Sequence, residues 1–216
     1  MAESVILDVQ NLSKSFGSFK VLQSISFQVV AGEILVLRGQ NGSGKTTLLN
    51  CISGLLPFDE GVIKVRGYDL RTEEQKLRRE LVFIPDVPRF YLELTALEHL
   101  HFIAAANNAL DGFAERAKAL MERFGLWNAR DVFPHHYSRG MKLKLGLLMG
   151  LIRPASLLVF DEPTSAIDSE GVSLIADELR TLKKEGRGIL LSTHDGEFAD
   201  RIADRVLSLH SGRLTE

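Results

Sequence analysis

The sequence predicts an α/β fold with a mainly parallel sheet, an N-terminal antiparallel β subdomain and an inserted α-helical subdomain. Apolar and polar residues alternate before residue 30, which is typical of half-buried antiparallel strands. A wholly apolar run at residues 34–37 precedes a glycine-rich loop and a helical pattern, as at the start of a βαβ unit. Between Asp86 and Arg153 no segment has a convincing strand pattern, which favours helices there.

The core elements follow from short apolar runs and helical spacing. The alternation is clearest at Ile25, Phe27 and Val29, which the polar residues Ser24, Ser26 and Gln28 precede. In chain order, the later core elements are a strand at 34–37, a helix over 45–53 that Gly54 ends, strands at 62–65 and 81–84, a strand at 157–160, a helix over about 169–185, a strand at 188–192, a short helix near 197–202 and a strand at 206–209.

Three helices are expected in the insertion. Thr95 and Glu98 form a capping box for a helix that runs toward Ala106. Asp111 is the expected cap of a second helix that extends through Phe124. The third is predicted by apolar residues on one helical face: Met141, Leu145, Leu148, Met149 and Ile152. We therefore expect a single domain over 1–216, with its core at about 1–85 and 154–216 and the helical insertion at about 86–153.

The composition excludes several classes of protein. The 216-residue chain is 45% hydrophobic and 25% charged, as in ordinary globular proteins. Its formal net charge of −2 gives no long-range attraction to polyanions, so we expect no nucleic-acid partner. No apolar run approaches the roughly 18 residues that a membrane-spanning helix needs, and no signal peptide is evident. A single cysteine, Cys51, fits a reducing cytosol and is expected to be a small core residue.

A glycine-rich motif at residues 39–46 predicts a phosphate-binding site. The sequence GQNGSGKT matches G-x-x-x-x-G-K-[ST] and lies between a predicted strand and a predicted helix. Glycines allow backbone N–H groups to surround phosphate oxygens, and the helix N-terminus attracts the negative charge. Lys45 is expected to reach the β- and γ-phosphates, and Thr46 to offer its hydroxyl to Mg²⁺. The nucleotide-binding residues predicted here are Gly39, Asn41, Gly42, Ser43, Gly44, Lys45, Thr46 and Thr47.

A pair of carboxylates follows the apolar strand at 157–160. Asp161 and Glu162 stand where the strand ends, and ligands bind beyond the carboxyl ends of parallel strands. An acidic pair after a strand is commonly just a solvated loop, but it follows a phosphate-binding motif here. Asp161 suits a role at Mg²⁺, and Glu162 suits the orientation or activation of the attacking water. Together the two motifs predict a P-loop NTPase.

Further segments resemble the ABC-type ATPases. Residues 137–141, YSRGM, resemble the family's L-S-G-G-Q signature, and residues 165–168, SAID, resemble its S-A-L-D loop. Residues 192–195, STHD, resemble the segment that carries its switch histidine, and Phe16 stands where an aromatic residue stacks on adenine. The resemblance covers the whole chain with its elements in the expected order. It implies the nucleotide-binding subunit of an ABC transporter.

The resemblance also implies roles for single residues, beside which simpler roles stay open. His194 would contact the γ-phosphate as a catalytic residue, or be a core histidine at a strand end. Phe16 would bind adenine, or serve core packing. Ser138 and Gly140 would contact the nucleotide held by a second subunit. Asp168 would act at the same dimer interface and can also cap the helix that follows it.

Two departures from the family's pattern stand out. The signature lacks its first glycine and its glutamine, and this S-x-G-M form resembles the branch that serves exporter-type permeases. Arg139 replaces the glycine and is expected to be solvated or locally paired rather than to contact a phosphate. The loop that enters the insertion usually carries a glutamine at the Mg²⁺ site, and Asp86 takes this place. We expect Asp86 to lie near the metal, or else to cap or solvate the loop.

The expected function is that of an ATP-binding, ATP-hydrolysing subunit that uses Mg²⁺ and powers a separate membrane permease. The resemblance implies a sandwich of two ATP molecules between two copies, or between this chain and a paralogue, at the cytoplasmic face of a membrane. An apolar cluster between residues 87 and 94 is either covered by the insertion or the patch that binds the permease. The alternative is a soluble ABC ATPase without a permease, for example in cofactor assembly.

Overall fold

The computed structural model describes residues 4–165 and 167–215, and Ala166 of the SAID segment lies outside them. The chain divides into two compact units. The first unit comprises the described residues up to Phe83, Ala155–Pro163 and the described residues from Ala176 onward. The second comprises Ile84–Pro154 and Thr164–Ile175. It thus includes a segment after the Asp161 strand that sequence analysis assigned to the core.

The strands and helices alternate as the α/β prediction requires, and that fold class is confirmed. In chain order the strands are β1 (Val5–Phe16), β2 (Phe19–Val30), β3 (Ile34–Arg38), β4 (Glu60–Val65), β5 (Tyr68–Asp69), β6 (Leu81–Ile84), β7 (Leu157–Asp161), β8 (Gly188–Ser192), β9 (Arg205–His210) and β10 (Arg213–Thr215). The α-helices are α1 (Lys45–Ile52), α2 (Glu74–Glu80), α3 (Ala96–Ala106), α4 (Phe113–Arg123), α5 (Arg139–Leu151), α6 (Ser169–Lys184) and α7 (Gly196–Ile202). Short 3₁₀ helices occur at Trp127–Ala129 and Pro134–His136.

Two sheets build the first unit. The antiparallel sheet has the order β2-β1-β4-β5, as the alternation before residue 30 predicts. The second sheet has the order β10-β9-β3-β8-β7-β6, and β3 pairs in parallel with β8 and with β9. Because β7 also pairs in parallel with β8, the carboxyl ends of β3, β7 and β8 meet at one edge.

The core of the first unit forms around β3 and the helix that follows it. Leu35 and Leu37 of β3 are fully buried beside Leu48 and Leu49 of α1. Apolar residues of β1, including Leu7, belong to the same cluster. A parallel strand covered on both faces is wholly apolar, which is why residues 34–37 showed no alternation.

The second unit is helical. The Thr95–Glu98 capping box ahead of α3 is confirmed, with both reciprocal bonds formed. The predicted cap Asp111 is wrong, because α4 starts after Gly112, which adopts a left-handed conformation with φ 58°. The Asp111 carbonyl instead accepts a hydrogen bond from the Arg116 guanidinium.

Within the described part of the chain, none of the helices has the length and apolar character that crossing a membrane requires.

Candidate active site

The glycine-rich loop connects β3 to α1 in the first unit. Gly42 and Gly44 have φ angles of 81° and 105°, a region that residues with a side chain rarely adopt. At Gly39 a Cβ atom would lie 2.6 Å from the Leu209 carbonyl oxygen and 2.6 Å from Ser43 Oγ. A side chain at any of these positions would therefore strain the loop or fill it, and the motif forms the cradle that its sequence predicts.

A buried hydroxyl inside this loop lacks a hydrogen-bond partner among the described residues. Ser43 Oγ is shielded from solvent but unpaired, and an unpaired buried polar group costs free energy. It stands two residues before α1, whose N-terminal amides carry partial positive charge. A phosphate oxygen placed here would satisfy both features, so the loop fits a nucleotide phosphate.

Lys45 begins α1 and is buried. Its ammonium donates to the Gly39 carbonyl at 2.7 Å and to the Gln40 carbonyl at 3.4 Å. It also lies 3.9 Å from Glu162 Oε1. A buried cation thus faces the opening of the loop, held by carbonyl groups that a phosphate could replace.

Asp161 ends β7 and joins the loop to the sheet edge. The Thr46 hydroxyl donates to Asp161 Oδ2 at 2.8 Å, and the Ser192 hydroxyl donates to Asp161 Oδ1 at 2.5 Å. Sequence analysis missed the role of Ser192. The parallel register that sets Asp161 opposite Ser192 at the ends of β7 and β8 could have indicated it.

Glu162 follows Asp161 in a left-handed conformation with φ 47°. Its amide donates to the carbonyl and to the hydroxyl of Ser192, both at 3.1 Å. Left-handed residues other than glycine are uncommon and cluster at functional sites, where the surroundings hold them. The two hydrogen bonds from the Glu162 amide to Ser192 hold the backbone in this conformation.

The Glu162 carboxylate is paired with His194. The His194 ring nitrogen Nδ1 lies 2.9 Å from Glu162 Oε2, and the His194 amide donates to the same oxygen at 3.2 Å. Because a carboxylate only accepts, Nδ1 carries the proton. The imidazole is largely exposed, so the alternative of a core histidine is wrong. Glu162 thus lies between the cations of Lys45 and, when protonated, His194.

An open cleft of about 460 Å³ borders these groups. It is lined by Phe19, Val21, Asn41, Gly42, Ser43, Gly44, Lys45, Thr46, Thr47 and Glu162. Phe19 was missed by sequence analysis.

Phe16, the predicted adenine contact, pairs with Phe19 where β1 turns into β2 and is 52% exposed. Lys14 Nζ lies 5.2 Å from the centre of the Phe16 ring. The exposure of Phe16 argues against the alternative that it serves core packing.

Four predicted residues belong to the second unit. Ser138 caps α5, because its hydroxyl accepts from the Met141 amide at 3.2 Å. Gly140 lies in the first turn of that helix. Asp168 Oδ1 accepts from the Gly171 amide at 2.8 Å, which confirms the capping role left open for it. The Asp86 carboxylate accepts a hydrogen bond from the Ser165 hydroxyl.

The described residues form no group of three or more His, Cys, Asp or Glu side chains arranged to hold a metal ion. Among the predicted metal ligands, Thr46 and Asp161 lie side by side in the first unit, where the Thr46 hydroxyl and Asp161 Oδ2 are 2.8 Å apart. Both are hard oxygen ligands of the kind that Mg²⁺ prefers, and Mg²⁺ takes its other ligands from phosphates and water.

Known proteins resemble this chain over nearly its whole length. Residues 22–165 match the family profile described as ABC transporter. The glutamine transport ATP-binding protein GlnQ of Bacillus subtilis (strain 168) is 32% identical, over 98% of this chain and 89% of that protein. The glutamate/aspartate import ATP-binding protein GltL of Escherichia coli (strain K12) is 32% identical, over 98% of this chain and 90% of its own length.

Solved structures agree with these matches. An ATP-binding subunit of an ABC transporter superposes with a TM-score of 0.93 at 34% identity, over 98% of this chain and 88% of that one. A dimeric bacterial ABC transporter cassette shares the fold, with a TM-score of 0.89 at 23% identity over 98% of this chain and 97% of that one. The chain therefore belongs to the ABC transporter family, as an ATP-binding subunit with ATPase activity.

Proposed function

We propose that the protein hydrolyses ATP as a nucleotide-sandwich dimer and powers a separate membrane permease from the cytoplasmic face of the membrane. The observation that carries the proposal is the convergence of the glycine-rich loop, Asp161 and Glu162 at one sheet edge. Thr46 binds Asp161 at 2.8 Å, and Lys45 lies 3.9 Å from Glu162. These contacts bring a phosphate cradle and a carboxylate able to activate water into one cleft.

ATP binding would exchange internal contacts for phosphate contacts. The γ-phosphate would take Lys45 from the carbonyls of Gly39 and Gln40, and a phosphate oxygen would accept from the unpaired Ser43 hydroxyl. Phe16, half exposed at the end of β1, would stack on adenine. The loop amides and the α1 dipole would supply the remaining attraction.

Thr46 and Asp161 would hold Mg²⁺ together with the phosphates. When bound, the ion neutralises charge that develops on the phosphate oxygens during transfer. Ser192 fixes Asp161 through its Oδ1, which leaves Oδ2 directed at Thr46. Asp86 stands where the family usually has a glutamine and would be a further metal ligand if its carboxylate leaves the Ser165 hydroxyl; otherwise it caps or solvates the loop.

Glu162 would orient and activate the attacking water. The carboxylate is held between Lys45 and His194 in this structure. Once both cations turn to phosphate oxygens, Glu162 would be free to accept a proton from water. His194 would then donate to the γ-phosphate, and the strained backbone at Glu162 would keep the carboxylate at the sheet edge.

The dimer would complete the site with the second unit of a partner, either a second copy or a paralogue. The amides at the N-terminus of α5, near Ser138 and Gly140, can bind phosphate as the glycine-rich loop does. Asp168, exposed ahead of α6, would lie at the same interface. Each ATP would then be bound by two subunits.

An exposed apolar surface in the second unit supports the permease partner. Val87, Tyr91 and Leu92 are 70%, 56% and 69% exposed, so the alternative that the insertion covers this cluster does not hold for them. Contiguous exposed apolar side chains mark interaction sites. The relatives GlnQ and GltL are named for amino-acid transport. No observation favours action without a permease.

The dimer is tested by the dependence of ATPase activity on protein concentration. If two subunits share each ATP, activity should rise faster than linearly as protein concentration increases. Ser138→Arg should suppress ATPase activity without weakening the binding of a fluorescent ATP analogue to the monomer. The control is Glu115→Arg, on an exposed face of α4, which should not suppress ATPase activity. A constant specific activity down to demonstrably monomeric protein would contradict the sandwich.

A further inference from the structure

His99 of α3 holds the backbone of the exposed apolar segment, residues 87–92. His99 is only 1% exposed, and both nitrogens of its ring are hydrogen-bonded. The Tyr91 amide donates to Nε2 at 2.9 Å, and Nδ1 lies 2.8 Å from the Thr95 carbonyl oxygen. His99 therefore joins the end of the segment to the first turn of the helix behind it.

These partners fix the protonation state of the ring. A backbone amide can only donate, so Nε2 accepts and carries no proton. A carbonyl can only accept, so Nδ1 carries the proton. The structure thus requires neutral His99 in its Nδ1–H tautomer. Protonation of Nε2 would set two donors against each other at a buried position.

Two aromatic rings and a hydrogen-bonded carboxylate are the neighbours of the His99 ring. The Phe90 ring meets the imidazole edge-on with centroids 5.5 Å apart, and the Tyr91 ring stacks on it at 6.1 Å. The acidic group beside it, Glu98, accepts from the Thr95 amide at 2.7 Å in the capping box and is exposed. Tyr91, whose ring stacks on the imidazole, carries a titratable phenol.

The other end of the segment is fixed independently of His99. A Cβ atom on Gly146 of α5 would lie 2.4 Å from Pro88 Cγ, so Pro88 packs directly on the helix backbone. Asp86 accepts from Ser165 just before the segment. Loss of the His99 bond would therefore free the backbone at Tyr91, whose ring also contacts Phe102 at 5.4 Å between centroids, while residues 86–88 stay in place.

We propose that neutral His99 is a positioning residue that fixes the apolar segment, and that its protonation releases the Tyr91 end. The bond itself does not depend on the proposed function, whereas its consequence for a permease does. If the segment binds the permease, coupling would weaken when His99 takes up a second proton.

Two amide variants separate the two bonds. His99→Gln places an acceptor near Nε2 and cannot be protonated, whereas His99→Asn reaches only the position of Nδ1. In the full chain, Tyr91 amide protection against hydrogen exchange should fall roughly tenfold from pH 7.5 to 5.5 after correction for intrinsic rates. In His99→Gln the Tyr91 amide should stay protected at both pH values. In His99→Asn it should be protected at neither. All three should retain basal ATPase activity.

Equal protection in His99→Asn and wild type, or wild-type protection independent of pH, would overturn the proposal. Should His99→Asn fail to fold, the ¹⁵N shifts of the wild-type imidazole decide the matter. An Nε2–H tautomer at pH 7.5 would contradict it, and an Nδ1–H tautomer would support it. Neither measurement uses ATP or a permease, so failure of the proposed function would not affect the result.

Discussion

The candidate functional residues of the two units differ in the groups that they contact. In the first unit, Lys45, Asp161, Glu162 and His194 contact one another or a shared neighbour. In the second unit, Ser138 and Asp168 bond to their own helices. The apolar side chains at 87–92 are largely exposed. The candidate catalytic residues of the first unit are thus held by one another, whereas the second unit carries the surfaces that we propose bind other subunits.

A large loss of ATPase activity should follow from removing the loop cation. Lys45→Ala should lower ATPase turnover by roughly 10²–10³, because a charged donor to the phosphates is lost from a buried position. Lys76→Ala is the control, since Lys76 forms an exposed pair with Glu73 in the same unit. Steady-state phosphate release measures both. If Lys45→Ala turned over ATP nearly as fast as the control, the proposal that residues of the first unit catalyse hydrolysis would be contradicted.

Ser192→Ala should sharpen the comparison inside the first unit. The hydroxyl donates to Asp161 and accepts from the Glu162 amide, so its loss leaves a buried carboxylate with one partner fewer. We expect the free energy of unfolding to fall by about 1–3 kcal/mol and the Mg²⁺ concentration for half-maximal activity to rise. Ser192→Thr keeps the hydroxyl and should be milder in chemical denaturation. Equal stability of the Ala variant and wild type would contradict this role.

A smaller effect is expected at Asp86, which would be a Mg²⁺ ligand from the second unit. If the Asp86 carboxylate binds Mg²⁺, Asp86→Asn should raise the Mg²⁺ concentration for half-maximal activity, and Asp86→Gln should partly restore the family's geometry. Ser165→Ala removes the competing donor and should leave the midpoint equal or lower. Titration of Mg²⁺ at saturating ATP measures all three. An unchanged midpoint and turnover in Asp86→Asn would place this residue outside the active site.

The smallest effect is expected at Cys51 in the core of the first unit. Burial raises the pKa of its thiol to about 11, so about a thousandth of it is ionised at pH 8. A thiol reagent should therefore leave the native protein unmodified and react once denaturant unfolds it. Activity should be unchanged after treatment of the native protein. Rapid labelling under native conditions would show that the core around α1 opens.

The sequence predicted the site where parallel topology dictates it. Lys45, Asp161 and Glu162 come together because the strands that precede them end at one sheet edge, which strand patterns alone imply. The roles of Ser192 and Phe19 were not predicted, because the contacts of a serine or phenylalanine in a strand depend on the register of that strand. The α/β fold, the ABC family and the ATPase activity are confirmed.

Local signals failed where the backbone took an uncommon conformation or the apolar pattern was weak. Asp111 is a good cap by residue type, but Gly112 enters the left-handed region and starts α4 one residue later. Helix α2 was missed because Leu77 is its only buried residue, too little for a helical period. The exporter-like signature and the role of Asp86 remain predictions.

The most direct test of the account is the turnover and assembly of Glu162→Gln. This change keeps the shape of the side chain but removes the charge that activates water, so ATPase turnover should fall roughly 10²–10⁴-fold while ATP affinity persists. Bound ATP should then accumulate between two subunits and shift the protein to a dimer in size-exclusion chromatography. Near wild-type turnover, with no dimer in the presence of ATP, would contradict it.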